Sequence, residues 1–154
     1  MRDMTRQAQG MPDLGQLLCF TVYSTGHAFN KVYKPLLDRL GLTYPQYLVM
    51  VALWESDGQR VGELGEKLFL ESSTLTPLLK RLEGLGLVER RRDAADERVV
   101  RISLTEKGRD LRDQALDVPS CIAEATGLSM DDMRSLGGIL SKLRENLHKA
   151  GGAD

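Results

Sequence analysis

Two thiols, Cys19 and Cys121, are the side chains of this sequence best suited to redox or metal chemistry. Cysteines that lie about a hundred residues apart make neither a disulfide framework nor a zinc site. The two histidines, His27 and His148, are too scattered to complete a metal cluster. Cys19 lies in the stretch QLLCFTVYST, whose apolar spacing is typical of a helix, with Tyr23 one turn later. From these residues alone, a buried sulfur that packs as a small hydrophobe is the simpler interpretation, and a reactive thiol is the alternative.

A second set of polar side chains faces away from a leucine-rich helix. In SSTLTPLLKRL the leucines share one face, and hydroxyl groups and cations occupy the other. Short hydroxyls at a helix N-terminus fit the major groove of DNA, and Lys80 and Arg81 can reach phosphates. The alternative is a solvated face with ordinary capping residues. The candidate DNA-binding residues on this helix are Ser72, Ser73, Thr74, Thr76, Lys80 and Arg81.

The segment ERRRDAADERVVR predicts a charged hairpin that follows this helix. It carries five arginines and four carboxylates, a net charge of +1, so charge alone is weak support for DNA binding. Geometry is more informative, because a hairpin tip can insert Arg98 into the minor groove while Asp96 holds its guanidinium extended. Arg91 is a further candidate. A solvated hairpin with paired charges is the alternative, but the helix pair and hairpin together favour DNA binding.

The periodicity predicts the elements that position these groups. A long helix is expected from Leu14 to about Lys31, with Pro35 and Gly41 as later stops, and the TYPQ capping box of Thr43 and Gln46 starts a helix that continues through Trp54. Two short helices joined by a tight turn follow. Pro77 implies that the second helix starts late, near Thr74, or bends.

Beyond that helix pair, alternation predicts two strands, LVERRR and RVVRISLT. Two helices should close the chain. One begins at Thr105 and is interrupted or ended by Pro119, and the other is capped by Ser129. The predicted fold is mainly α with a small β-wing, a winged helix-turn-helix flanked by terminal dimerisation helices. The predicted segments are 1–42 (dimerisation and sensing), 43–105 (DNA binding) and 106–154 (dimerisation).

Bulk composition sets broader limits. The chain has 154 residues and a formal net charge of −1, so a DNA-binding surface has to be local rather than a global basic field. The longest apolar run, Tyr47 to Trp54, is too short to span a bilayer, and residues 1–14 lack the apolar region of a secretory signal. We therefore expect a cytoplasmic protein that needs no cofactor. The apolar faces of the terminal helices, which find no partner within a small core, predict a homodimer that reads an inverted repeat of double-stranded DNA.

The order LESSTLTPLLKRLEGLGLVERRRDAADERVVRISLTEKG resembles the MarR family of dimeric winged-helix regulators, and Asp96 to Arg98 matches its wing motif. The stretch LCF…Y…YKPLLD.LGLTYPQYLVM..LWE is similar to the organic hydroperoxide resistance regulators within that family. This resemblance implies that Cys19 is a peroxidatic cysteine. It also implies that Tyr33 and Tyr44 hydrogen-bond the thiol, one of them from the other subunit, and that Cys121 of the mate is the resolving cysteine.

The resemblance implies a repressor, not an enzyme, that leaves its operator when an organic hydroperoxide oxidises Cys19 and an intersubunit disulfide with Cys121 forms. The turn reads ESST where that branch often has DSGT, so Glu71 and Ser73 are expected to alter operator preference. One alternative is a MarR-type repressor that responds to a small phenolic ligand, with both cysteines incidental. Another is a thiol peroxidase, for which a winged helix-turn-helix would be unnecessary.

Overall fold

The computed structural model describes residues 10–152; residues 1–9 and 153–154, which belong to the predicted terminal segments, lie outside it. The chain divides into two compact units, Met1–Leu116 and Asp117–Asp154. After a short 3-10 turn at Leu14–Gln16, the helices are α1 (Leu18–Asp38), α2 (Tyr44–Glu55), α3 (Val61–Leu68), α4 (Ser72–Gly84), α5 (Glu106–Gln114), α6 (Val118–Thr126) and α7 (Met130–Ala150). The strands are β1 (Gln59–Arg60), β2 (Val88–Arg92) and β3 (Val100–Leu104). The mainly helical fold with a small β-wing is confirmed.

Helix α1 differs from the prediction at both ends. It starts at Leu18 rather than Leu14, and it continues past Lys31 and through Pro35 to Asp38. Pro35 removes one backbone hydrogen bond, but it is exposed and only three residues from the helix end. Burial of Leu37, Leu40 and Leu42 stabilises that end. The predicted stop at Gly41 is confirmed, since its φ of 70° is in the left-handed region.

Helix α2 is the central buried helix of the first unit. The capping box at its start is confirmed: the Gln46 backbone N–H donates to Thr43 Oγ1 over 3.4 Å, and the Thr43 backbone N–H donates to Gln46 Oε1 over 2.9 Å. Val49, Met50 and Leu53 are fully buried along the helix. The capping box therefore fixes where the main core helix begins.

The helix pair α3 and α4 forms as predicted, but the late start of α4 is wrong. The helix begins at Ser72, and Pro77 is its sixth residue. Pro77 removes the hydrogen bond to the Ser73 carbonyl, yet Leu75, Leu78, Leu79 and Leu82 are all buried on the opposite face. Burial of four leucines outweighs one lost backbone hydrogen bond, because each buried leucine contributes roughly 1.5–3 kcal/mol.

The wing has three strands instead of the two predicted. Its antiparallel order is β1-β3-β2, with Gln59 opposite Ile102 and Arg91 opposite Arg101. Strand β1 has only two residues, too few for an alternating pattern to be visible in the sequence. Asp57 secures this edge, because its Oδ1 accepts from the backbone N–H groups of Gly58 and Leu104, both over 2.8 Å.

Three helices, not two, follow the wing. Thr105 caps α5 as predicted, but α5 ends at Gln114 and a separate α6 begins at Val118. Pro119 therefore starts a helix rather than ending one, since a proline in the first turn lacks only an N–H that has no partner there. Ser129 caps α7 as predicted, with its Oγ accepting from the Asp132 N–H over 3.1 Å.

Within residues 10–152, no helix combines the length and the apolar character needed to span a membrane.

Candidate DNA-reading face and thiol site

The N-terminal face of α4 presents the hydroxyl groups that the sequence singled out. Ser72, Ser73 and Thr74 are exposed in its first turn, and Thr76 is half-buried. Glu71 occupies the N-cap position without a side-chain cap hydrogen bond. The positive end of the helix and the hydroxyls of its first turn are therefore available to a phosphate or a base edge. Lys80 and Arg81, further along the helix, are also exposed.

Two features fix the position of α4, its buried leucine face and the turn that precedes it. The buried leucines of α4 pack in the first unit, and the turn between α3 and α4 lies close against Gly65 of α3. A Cβ on Gly65 would lie 2.9 Å from the Leu70 carbonyl oxygen. Phe69 in that turn adopts a φ of 55°, the single non-glycine residue of the described chain with a positive φ. The turn thus fixes where the first turn of α4 projects.

Arg98 extends from the tip of the wing, and Asp96 holds it there. The Arg98 side chain is 91% exposed, and its Nε lies 3.2 Å from Asp96 Oδ1. The same carboxylate oxygen accepts from the Arg98 backbone N–H over 3.1 Å. One carboxylate therefore fixes both the backbone and the guanidinium, which is the arrangement that we expected for a minor-groove arginine.

Arg101 and Asp93 support the base of the wing tip, a role that sequence reasoning missed. Arg101 Nε donates to Asp93 Oδ2 over 2.8 Å, and Arg101 Nη1 donates to the Gly58 carbonyl over 3.0 Å. Asp93 also accepts from the Ala95 backbone N–H over 2.9 Å. This backbone hydrogen bond, and next the Arg101 guanidinium, lower the pKa of Asp93 below its ordinary value of 3.8. An eight-residue separation across a hairpin gives no local sequence signal for this pair.

Arg91 and Arg92 also have intramolecular partners, whereas the Nε of Arg90 has none among the described residues. Arg91 Nη2 lies 2.6 Å from Glu89 Oε2, and both side chains are largely exposed. Arg92 Nη1 donates to the Glu97 carbonyl over 2.9 Å. The Nε of Arg90 is buried and has no hydrogen-bond partner among the described residues. Three of the five wing arginines, Arg91, Arg98 and Arg101, therefore lie against carboxylates.

Cys19 is the second residue of α1, and it is exposed in the single chain. Tyr33 lies fourteen residues further along the same continuous helix, which corresponds to roughly 21 Å at 1.5 Å per residue. The rings of Tyr33 and Tyr44 are in contact, with centroids 4.7 Å apart. The two tyrosines are therefore held together and away from the thiol of their own chain. Which subunit of a dimer supplies each tyrosine to Cys19 stays a prediction.

Both tyrosines are protonated donors near neutral pH. Partial burial, followed by the neighbouring phenols Tyr44 and Tyr47, raises the pKa of Tyr33 to about 12. Burial also raises the pKa of Tyr44. A phenol that keeps its proton can donate a hydrogen bond to a thiolate, which stabilises the charged form of the sulfur.

Four further ring residues make contacts near these sites, and the sequence predicts no functional role for them. Tyr23 and His27 lie one and two turns after Cys19, with ring centroids 4.5 Å apart in an edge-on arrangement. Tyr47 contacts Tyr33 at 5.8 Å and Trp54 at 6.5 Å. The seven-residue spacing from Tyr47 to Trp54 on one helix was the available signal.

Cys121 is the fourth residue of α6 and is half-buried. It belongs to the second compact unit, whereas Cys19 belongs to the first. Within residues 10–152, no group of three or more His, Cys, Asp or Glu residues is arranged to hold a metal ion.

Comparison with known proteins identifies relatives that match most of the chain. Residues 31–115 match the model of the transcriptional regulators SarA/Rot. The chain is 49% identical to the HTH-type transcriptional regulator TtmR of Methylorubrum extorquens over 91% of this chain and 72% of that protein. It is 47% identical to the organic hydroperoxide resistance transcriptional regulator of Bacillus subtilis over 86% of this chain and 90% of that protein.

AbfR of Staphylococcus epidermidis is similar in structure. Its reduced, DNA-bound form superposes with a TM-score of 0.74 at 35% identity, covering 87% of this chain and 93% of that one. Its disulfide-formed structure superposes with a TM-score of 0.59 at 35% identity, covering 89% and 91%.

Proposed function

Because the chain belongs to the SarA/Rot family of MarR-like winged-helix transcriptional regulators, we propose that it is a repressor that senses organic hydroperoxides. In this proposal, oxidation of Cys19 releases the protein from its operator. The observation that carries it is the position of Cys19 on an exposed face of α1, in a chain 47% identical to a hydroperoxide resistance regulator. The relatives are transcriptional regulators, and a DNA-binding role rather than turnover follows from that kinship.

DNA binding involves the first turn of α4 and the tip of the wing. The hydroxyls of Ser72, Ser73, Thr74 and Thr76 contact base edges or phosphates in the major groove, while Lys80 and Arg81 contact the backbone. Arg98, extended by Asp96, inserts into the adjacent minor groove, and Arg91 contacts its phosphates. Two copies then read the two halves of an inverted repeat whose centres lie about one helical turn, roughly 10 bp, apart.

The homodimer follows from two apolar helix faces that the single chain leaves exposed. On α1 these are Leu18, Val22, Phe29 and Val32, and on α7 they are Leu136, Ile139, Leu140 and Leu147. Exposed apolar stripes of this length are normally covered by a second subunit. The dimer also brings Tyr33 and Tyr44 of one subunit to Cys19 of the other, since neither reaches the thiol of its own chain.

The chemistry begins at the Cys19 sulfur. The thiolate attacks one oxygen of the hydroperoxide, the O–O bond breaks, and the alkoxide leaves and is protonated to an alcohol. The product is a sulfenic acid, which the thiol of Cys121 in the mate attacks, forming the disulfide and releasing water. Tyr33 and Tyr44 hydrogen-bond the reacting thiolate, and the apolar surface around Leu18 and Val22 suits an organic peroxide.

Disulfide formation then changes the dimer. The linked Cα atoms must come within about 7 Å, so closing the bond moves α6 if the sulfurs start further apart. A shift of the C-terminal helices rotates the two wings away from their half-sites. The existence of a disulfide-formed structure of the relative AbfR supports the disulfide step of this proposal.

Operator titration with cumene hydroperoxide tests the proposal. The wild-type protein should lose operator affinity as Cys19 is oxidised, Cys19→Ser should stay bound, and Cys121→Ser should be oxidised without forming the intersubunit disulfide on a non-reducing gel. The two variants make the same Cys-to-Ser change at different positions, so a difference between them reflects the role of each cysteine and not the loss of a thiol as such. Release that persists in Cys19→Ser would refute thiol sensing and favour a small-molecule ligand. Sustained peroxide consumption without operator binding would indicate a thiol peroxidase.

A further inference from the structure

Four aromatic side chains form a continuous row from the proposed sensing site into the core. Tyr33 contacts Tyr44 at 4.7 Å and Tyr47 at 5.8 Å between ring centroids. Tyr47 is buried and contacts Trp54 at 6.5 Å near the other end of α2. This aromatic row, Tyr33, Tyr44, Tyr47 and Trp54, spans the length of the main core helix.

The row ends in a hydrogen bond to α5, the helix that follows the wing. Trp54 Nε1 donates to the Gly108 carbonyl in α5 over 2.8 Å. Gly108 is buried against the backbone of Leu87, so closely that a Cβ there would overlap the Leu87 carbonyl oxygen. That same oxygen accepts from the Thr105 N–H over 3.1 Å, and Leu87 directly precedes β2 of the wing.

These contacts make a path of packed groups from Tyr33 to the first residue before the wing strand. Close-packed interiors transmit displacements because they contain few voids to absorb them. A path alone does not establish coupling, which requires that changing it alters the response. Trp54 is the place to test it, because its indole N–H is the hydrogen-bond donor that joins α2 to α5 along this path.

We propose that Trp54 is a positioning residue that couples the oxidation state of Cys19 to the DNA-binding wing through the aromatic row and the Gly108 carbonyl. This inference rests on the proposed function, in which Tyr33 hydrogen-bonds the thiolate of the other subunit. Oxidation removes that thiolate, Tyr33 and the rings behind it move, and the indole transmits the shift to α5 and β2.

The test distinguishes the oxidation of Cys19 from the change in operator affinity that follows it. Trp54→Phe keeps a ring beside Tyr47 but removes the N–H donor, and Val51→Ala is the control on the same helix at a partly exposed position outside the row. For each protein we would measure the rate of Cys19 oxidation by cumene hydroperoxide, and the operator Kd before and after complete oxidation.

Trp54→Phe should be oxidised at the wild-type rate, while its ratio of oxidised to reduced Kd falls by about fivefold or more. Val51→Ala should retain both wild-type values. A Trp54→Phe ratio equal to that of wild type would overturn the inference. A wild-type protein that keeps its operator after complete Cys19 oxidation would refute the proposed function, and this inference with it.

Intrinsic fluorescence provides a second readout that does not depend on a variant of Trp54. The chain contains one tryptophan, so the emission reports on this position alone. Oxidation should change the emission maximum or intensity in the wild-type protein and leave it unchanged in Cys19→Ser. Wild-type emission that stays constant through complete oxidation would overturn the inference, even if Trp54→Phe did not fold.

Discussion

At the scale of single residues, the carboxylates of the wing act as supports for its arginines. Asp96 fixes Arg98 in an extended position, and Asp93 fixes Arg101 between the wing tip and the Gly58 carbonyl. The first pair holds the side chain that we propose for the minor groove, and the second holds the hairpin that carries it. Preorganisation of this kind reduces the entropy lost when the arginine enters a groove.

Replacement of Arg98 by alanine should weaken operator binding. A groove-inserted arginine contributes about 1–3 kcal/mol, so we expect a Kd increase of roughly tenfold at constant salt. Fluorescence anisotropy with labelled operator measures it. Arg112→Ala, which removes the same charge from an exposed position of α5, is the control. If the two variants bind equally well, Arg98 does not contact DNA.

The pH dependence of the wing should reflect Asp93. Its folded-state pKa is lowered, mainly by the Ala95 N–H and then by Arg101, so the charged carboxylate stabilises the fold. That contribution is complete above the ordinary value of 3.8 and is lost as pH falls through the lowered pKa. Urea unfolding from pH 5 downwards should therefore show a steeper loss of stability in wild type than in Asp93→Asn. Identical profiles would contradict this assignment.

Only some of these side-chain contacts could be predicted from the sequence. Asp96 and Arg98 were predictable because they are two residues apart in one turn. The contact between Tyr33 and Tyr44 was not, since it depends on how the turn at Gly41 folds α2 back towards α1. The same is true of Arg101 with Asp93, whose meeting requires the register of two strands.

At the scale of elements, local sequence signals predicted some helix boundaries correctly, and long-range packing determined the others. The capping box at Thr43 and the leucine face of α4 are local, and both are confirmed. Pro35 and Pro119 misled the prediction, because their effect depends on where the helix begins and what its end buries. Strand β1 exists because β3 pairs with it and because Asp57, two residues before it, is tied to Leu104 of β3, which two residues of sequence cannot show.

Helix α5 and the start of the wing are in contact at Gly108, and a substitution there tests how tight this contact is. Gly108→Ala forces a Cβ into the Leu87 carbonyl, so we expect destabilisation by about 1–3 kcal/mol, as for other overpacked sites. Urea unfolding measures the change. Gly62→Ala is the matched control, because a Cβ in that helical position meets nothing within 4 Å and should be neutral or slightly stabilising. Equal stabilities would contradict the tight contact.

At the scale of the whole molecule, the second unit is incomplete by itself. No residue of α7 is buried, although its leucines and Ile139 form an apolar stripe. The fold class, the helix-turn-helix and the wing could be predicted from the sequence because each has its own periodicity. The proposed relation between the two thiols could not, because in the proposal it depends on a second subunit. The division into three functional segments stays a prediction for the same reason.

Ile139→Asp should prevent dimerisation. The side chain is 67% exposed in the single chain, and a buried charge at a subunit interface is strongly destabilising. Light scattering after gel filtration should show a monomer, and operator affinity should fall because only one half-site is then held at a time. Ser141→Asp, which places the same charge on the opposite side of α7, should remain dimeric. A dimeric Ile139→Asp variant would exclude this face from the interface.

The compensated charges of the wing bear on how the protein finds its target in a genome. Arg91 and Arg98 already lie against carboxylates, so few counterions are released when the wing meets arbitrary sequence. Residence on bulk chromosome should therefore be brief, and most of the binding energy should appear only where the major-groove helix also fits. Under the proposed function, such a protein should scan quickly, and after oxidation it should depart into solution instead of sliding to neighbouring sites.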